Sequence, residues 1–87
     1  MPRVFIPPLL QTLTGEVKEI DVSGANVRHA IAELETRYPG IQERLCDGDA
    51  LKPGLAVAVD GNVSSLGLLQ KLGAESEVHF LPAIGGG

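Results

Sequence analysis

Only one stretch of this 87-residue chain repeats its apolar side chains with a helical period. Val27, Ala30, Ile31, Leu34 and Tyr38 fall at i, i+3, i+4, i+7 and i+11, while Arg28, Glu33, Glu35 and Arg37 fill the other faces. Asn26 precedes the stripe as an N-cap. Pro39-Gly40 closes it, because proline disfavours α geometry at Tyr38 and glycine permits a left-handed turn. One amphipathic helix with one apolar stripe needs one apolar face to lie on, and the rest of the chain has to supply it.

The flanking segments read as strands. Arg3-Val4-Phe5-Ile6 is rich in β-formers and stops at Pro7-Pro8, which offer no N–H to a ladder. Val17, Ile20 and Val22 recur among Glu16, Lys18, Glu19 and Asp21, with a break in alternation that predicts a bulge, so residues 3 to 22 read as a β-hairpin. After the helix, Ile41 to Leu45 fits one short helical turn and Cys46-Asp47-Gly48-Asp49 a turn. Leu55 to Val59 is an apolar run that Asp60-Gly61-Asn62 reverses, and Val63 begins its partner. Ser64 to Lys71 is irregular, with Leu66, Leu68, Leu69 and Leu72 expected to plug the open edge of the sheet. Glu77 to Leu81 is a final strand, ended by Pro82. The order predicts an α+β fold of the β-grasp (ubiquitin-like) type: a mixed sheet of four to five strands crossed by one main helix. Residues 1–82 form the single domain and residues 83–87 a glycine-rich tail.

Composition narrows the function classes. A hydrophobic share of 44% with 21% charged residues fits a globular domain and not a disordered one. Seven Lys and Arg against eleven Asp and Glu leave a net charge of -4, which repels phosphate backbones, so no nucleic-acid partner is expected. The apolar run Gly54 to Val59 is far short of the roughly 20 residues that cross a bilayer, and residues 1 to 25 lack a secretory signal pattern. A lone Cys46 makes no internal disulfide and favours a reducing cytoplasm. Beside Asp47 it reads as a small packing residue. With His29 and His79 as the only histidines, no metal-ligand spacing exists, and no triad, carboxylate pair or phosphate-cradling loop marks a free-standing enzyme. No catalytic side chain, metal or bound cofactor is therefore predicted.

The chemistry sits in the ending Pro82-Ala83-Ile84-Gly85-Gly86-Gly87. Three glycines after a terminal strand pack nothing and are costly to order. The five residues beyond Pro82 reach about 16 Å when extended, enough to enter another protein's active site. Without a Cβ, Gly85 and Gly86 thread a narrow channel and leave the Gly87 carbonyl open to a nucleophile once its carboxylate is activated, for example as an acyl-adenylate. On this reading the protein is a co-substrate whose reacting atom belongs to the main chain. A frayed end is the plainer alternative.

Glu77 to Gly87 resembles the closing strand and diglycine tail of the MoaD/ThiS ubiquitin-like sulfur carriers. Val4-Phe5-Ile6, Leu13-Thr14-Gly15 and Leu34 to Ile41 resemble the same family. Ile6-Pro7-Pro8-Leu9-Leu10 and Leu81-Pro82-Ala83-Ile84 are most similar to its CysO branch, which the resemblance associates with cysteine biosynthesis. The resemblance implies two partners. A ubiquitin-activating-enzyme-like adenylyltransferase would use ATP to activate Gly87, which becomes a thiocarboxylate, and a sulfur-accepting synthase would take the sulfur. Molybdopterin synthase, thiamin synthesis or a secondary metabolite are alternative destinations. Gly87 is either the native terminus or one exposed by processing. A protein modifier, joined through the same tail to a target lysine, and a non-covalent binding module remain as readings of other classes.

The phase of the last strand points to a surface. If Val78 and Phe80 face the helix, His79 and Leu81 face the other side together with Phe5 and Pro7, forming a candidate docking patch for partners. The competing expectation is that the Leu66 to Leu72 segment covers them.

Overall fold

The computed structural model describes residues 1–82. Five strands form one sheet in the order β2-β1-β7-β5-β6: β1 (Arg3–Phe5), β2 (Glu19–Asp21), β5 (Leu55–Val59), β6 (Asn62–Val63) and β7 (Glu77–Pro82). β7 lies at the centre, parallel to β1 and antiparallel to β5. A two-stranded ribbon, β3 (Cys46–Asp47) with β4 (Ala50–Leu51), stands apart from the sheet. The mixed five-stranded sheet with one main helix is the α+β architecture that the sequence predicts.

That helix is α1 (Val27–Arg37), and its start is fixed as expected: the Asn26 side chain accepts the His29 N–H at 2.8 Å. Val27, Ala30, Ile31 and Leu34 press on Val4, Ile20, Val57, Val78 and Phe80 of the sheet, all within one buried cluster. The short helix α2 (Ile41–Leu45) adds Ile41 and Leu45 to the same core. Its first turn is held by a side chain of α1, since the Glu35 carboxylate accepts the N–H groups of Gly40 at 3.0 Å and Gln42 at 2.9 Å. Those two bonds hold the Glu35 carboxyl below the usual carboxylate range. Glu33 is lowered as well, chiefly by the Ser23 hydroxyl that it accepts at 2.6 Å.

Three expectations need correction. The hairpin over residues 3 to 22 is present, since β1 and β2 pair antiparallel, and its long connection carries a 3-10 turn at Pro8–Leu10 and further turns through Glu16; the correction there concerns the bulge. The break in alternation is therefore no bulge. Glu16 takes a left-handed backbone at φ 70°, Val17 is 37% exposed outside the strand, and regular pairing starts where Ile6 N–H meets Lys18 C=O. Second, Cys46–Asp47 opens the small ribbon rather than a bare turn. Third, the leucine-rich segment does not plug the sheet edge. Val27 N–H bonds Gln70 C=O and Leu72 N–H bonds Ala25 C=O, so the segment is tied to the start of α1. Only Leu68 is buried, while Leu66 and Leu69 are 57% and 67% exposed.

The β5–β6 hairpin fixes where β7 begins. Asp60 and Gly61 both have positive φ, 53° and 85°, as a two-residue reversal requires. The Asp60 carboxylate then reaches across to β7, accepting the Glu77 N–H at 2.9 Å and the hydroxyl of buried Ser76 at 3.1 Å.

Candidate functional site: the open sheet face and the end of the last strand

Alternation along β7 turns Val78 and Phe80 into the core, 0% and 8% exposed, and His79 and Leu81 to the face opposite α1. The strand register then sets a row across the whole sheet. Glu19 lies beside Phe5, Phe5 beside His79, His79 beside Ala58 and Ala58 beside Val63. Leu81 follows in the next row, opposite Ala56. The Phe5 and His79 rings stack with centroids 4.2 Å apart and planes 7° from parallel. Phe5, His79 and Leu81 are each half-buried, and Val63 is 65% exposed. The leucine segment is hydrogen-bonded to the start of α1, on the opposite face of the sheet.

Charged groups gather at the end of the sheet away from Pro82. Arg3 donates from Nε to Asp21 at 3.0 Å and pairs with Glu19 at 3.3 Å. The hydrogen bond to Asp21 raises the guanidinium pKa further, so this charge is permanent. Glu77 lies opposite Arg3 in the parallel pairing, and the surround is acidic overall.

At the other end, Pro7 to Leu9, Gly54-Leu55 and Phe80 to Pro82 enclose an apolar cleft of about 380 Å³. Pro7 lines this cleft together with Leu81. Pro82 pairs with Leu55 beyond the last β1–β7 pair, Phe5 with His79, so its missing N–H breaks no ladder bond to β1. Pro82, the last described residue, lies at the cleft. Gly85, Gly86 and Gly87, which the sequence selects for threading and modification, lie outside the described residues.

The remaining candidates are quiet. Cys46 is half-buried against the core, and burial pushes its thiol pKa up, away from thiolate chemistry. His29 is exposed on α1. Among the described residues no group of three His, Cys, Asp or Glu is arranged to hold a metal ion, and no helix is long and apolar enough to cross a membrane. Sequence reasoning missed Asp60. Its Asp-Gly turn signal is local, whereas its carboxylate acts on Glu77 far along the chain.

Comparisons with known proteins agree with this geometry. Residues 4–87 match the sequence model of the ThiS family. The sulfur carrier protein CysO of Mycobacterium tuberculosis is 34% identical over 91 aligned positions, covering 97% of this chain and 96% of the relative. Its crystal structure superposes with a TM-score of 0.86 at 31% identity, over 97% of this chain and all of that one. The Amycolatopsis orientalis BexX/CysO complex contains a chain that matches at TM-score 0.90 and 31% identity, with both chains fully covered. The small archaeal modifier protein 1 of Methanosarcina acetivorans shares the fold, with a TM-score of 0.78 at 24% identity over 99% of this chain and 95% of that one. With its β-grasp sheet, its open face and a match that runs through the terminal glycines, the chain belongs to the ThiS family.

Proposed function

We propose that the protein is a sulfur carrier whose Gly87 carboxylate is the acceptor and donor of sulfur. The observation that carries this reading is the family match through residue 87, which includes the three glycines, on a chain whose last strand ends at the rim of an apolar cleft. In the proposed sequence a carboxylate oxygen of Gly87 attacks the α-phosphorus of ATP and releases pyrophosphate. A sulfur nucleophile then adds to the acyl-adenylate carbonyl, AMP departs with the former carboxylate oxygen, and the thiocarboxylate remains. ATP belongs to an adenylyltransferase partner; this chain supplies the acyl group and the surface by which it is held.

Phe5 and His79, with Leu81 in the next row and Pro7 at the cleft, form the docking surface in this reading. Such a patch beside the tail lets a partner grip the body while the glycines enter its active site. The 34% identity to CysO and the CysO-like segments Ile6 to Leu10 and Leu81 to Ile84 support a synthase of cysteine biosynthesis as the sulfur acceptor. The chain itself is a co-substrate and not an enzyme, and it works in the cytoplasm.

The test is pyrophosphate exchange into ATP with the adenylyltransferase of the same organism, shown competent on a second carrier. The full chain should support exchange, and a chain lacking Gly86 and Gly87 should not. Equal exchange by both would refute the proposal. Isopeptide-linked products in place of a thiocarboxylate would favour a protein modifier instead.

A further inference from the structure

The Phe5–His79 stack places an ionisable ring between apolar neighbours, in a row that Glu19 of β2 ends. Ala58 lies on one side of His79 and Phe5 on the other, with Val63 beyond Ala58. Imidazole is the side chain whose charge ordinarily changes nearest neutrality. A ring in this place is neutral or charged at the point that a docking partner must dry.

The charges that face it are known from every neighbouring strand. On its own strand, Glu77 lies two residues before it on the same face. On β1 there is Arg3, already paired to Glu19 and Asp21 of β2. β5 and β6 contribute Ala56, Ala58 and Val63, and the turn between them contributes Asp60, whose carboxylate is bonded to Ser76 and to the Glu77 N–H. In the free protein the ring therefore has the Phe5 face on one side and the carboxylate-bearing Glu77 on its own strand. A partner complementary to this surface is apolar at its centre and basic at its rim. Docking such a partner strips water from the ring and adds like charge around it, and both disfavour the imidazolium.

We infer that His79 is a proton-linked specificity residue of the docking face: a partner with an apolar centre and basic rim binds when the ring is neutral, and acidification releases it. The inference rests on the docking reading given above. Its sign follows from linkage. If the complex holds fewer protons than the free chain, binding releases a proton and affinity rises with pH.

The experiment is calorimetric binding of the full chain to the same adenylyltransferase from about pH 5.5 to about pH 8, beside His79→Phe and His79→Gln. The partner's own titrations cancel in the ratio of wild-type to variant dissociation constants. That ratio should fall by about tenfold from the acid to the alkaline end, equivalent to one pH unit of linkage. In buffers of different ionisation enthalpy, the wild type should release more protons on binding than either variant. A constant ratio with equal proton release would overturn the inference and leave the docking surface standing, and tighter wild-type binding in acid would overturn it too. Absence of binding by the wild-type chain at every pH would overturn the docking reading and this inference together. The glutamine variant keeps the test valid if phenylalanine disturbs the fold.

Discussion

Asp60→Ala is the substitution that most directly tests how the central strand is positioned. The carboxylate accepts two hydrogen bonds, from Glu77 N–H at 2.9 Å and Ser76 Oγ at 3.1 Å, and the residue itself sits at φ 53°. The Glu77 amide is exposed and regains water, so its bond counts for about 1 kcal/mol. Ser76 is only 5% exposed, and stranding its hydroxyl costs about 1.5 kcal/mol. An alanine in the left-handed region adds about 1 kcal/mol. The total, about 3 to 4 kcal/mol, is a large part of the roughly 4 to 13 kcal/mol that a domain of this length possesses. Asp60→Gly removes the same bonds without the Cβ strain and should cost about 1 kcal/mol less. Urea unfolding followed by far-UV circular dichroism would read both, with the slope unchanged and the midpoint lowered. An alanine variant within about 0.5 kcal/mol of wild type, or a glycine variant as unstable as alanine, would refute this account of the hairpin clamp.

Other perturbations follow from the same geometry. A Cβ on Gly24 would lie 2.6 Å from the Ala30 amide nitrogen and 2.9 Å from the His29 carbonyl carbon, backbone that cannot swing away. Gly24→Ala should therefore cost about 1 to 3 kcal/mol in thermal or urea unfolding, and an unchanged midpoint would contradict the close approach. Glu33 and Glu35 have lowered carboxyl pKa values, through Ser23 and through Gln42 and Gly40 respectively. Their folded pKa values lie below the unfolded ones, so the stabilisation is full above the ordinary glutamate value of about 4.3 and fades as pH falls through the folded values. In a Glu33→Gln, Glu35→Gln double variant, stability should depend less on pH in acid; an identical pH dependence would refute the two caps. Leu81→Asp should weaken adenylyltransferase binding at least about tenfold while leaving far-UV circular dichroism intact, since the half-buried side chain lies on the open face. Undiminished binding would move the docking surface elsewhere.

Much of the fold was legible because its signals are local. The stripe from Val27 to Tyr38, the Asn26 cap and the apolar run Leu55 to Val59 each state their own structure, and the observed elements agree within a residue. The phase of β7 was legible too, since one buried valine at position 78 fixes which side His79 and Leu81 take. What stayed hidden depends on distant partners. Nothing near Leu66 or Leu69 announces that hydrogen bonds to Ala25 and Val27 will hold their segment against α1 and leave both side chains in water. Likewise the Phe5–His79 stack exists only because β1 and β7, far apart in sequence, pair in parallel at that register. The carboxylates of Asp60 and Glu35 act in the same non-local way, capping strand and helix starts that lack a cap of their own.

The central claim is that the Gly87 carboxyl carries sulfur, and intact-mass measurement tests it most directly. The full chain, incubated with ATP, a sulfur donor and an adenylyltransferase proven on another carrier, should gain the mass of one oxygen replaced by sulfur. That gain should reverse when the thiocarboxylate is hydrolysed, and it should be absent from the chain lacking Gly86 and Gly87. An unchanged mass in the full chain, under conditions where the control carrier is converted, would contradict the claim.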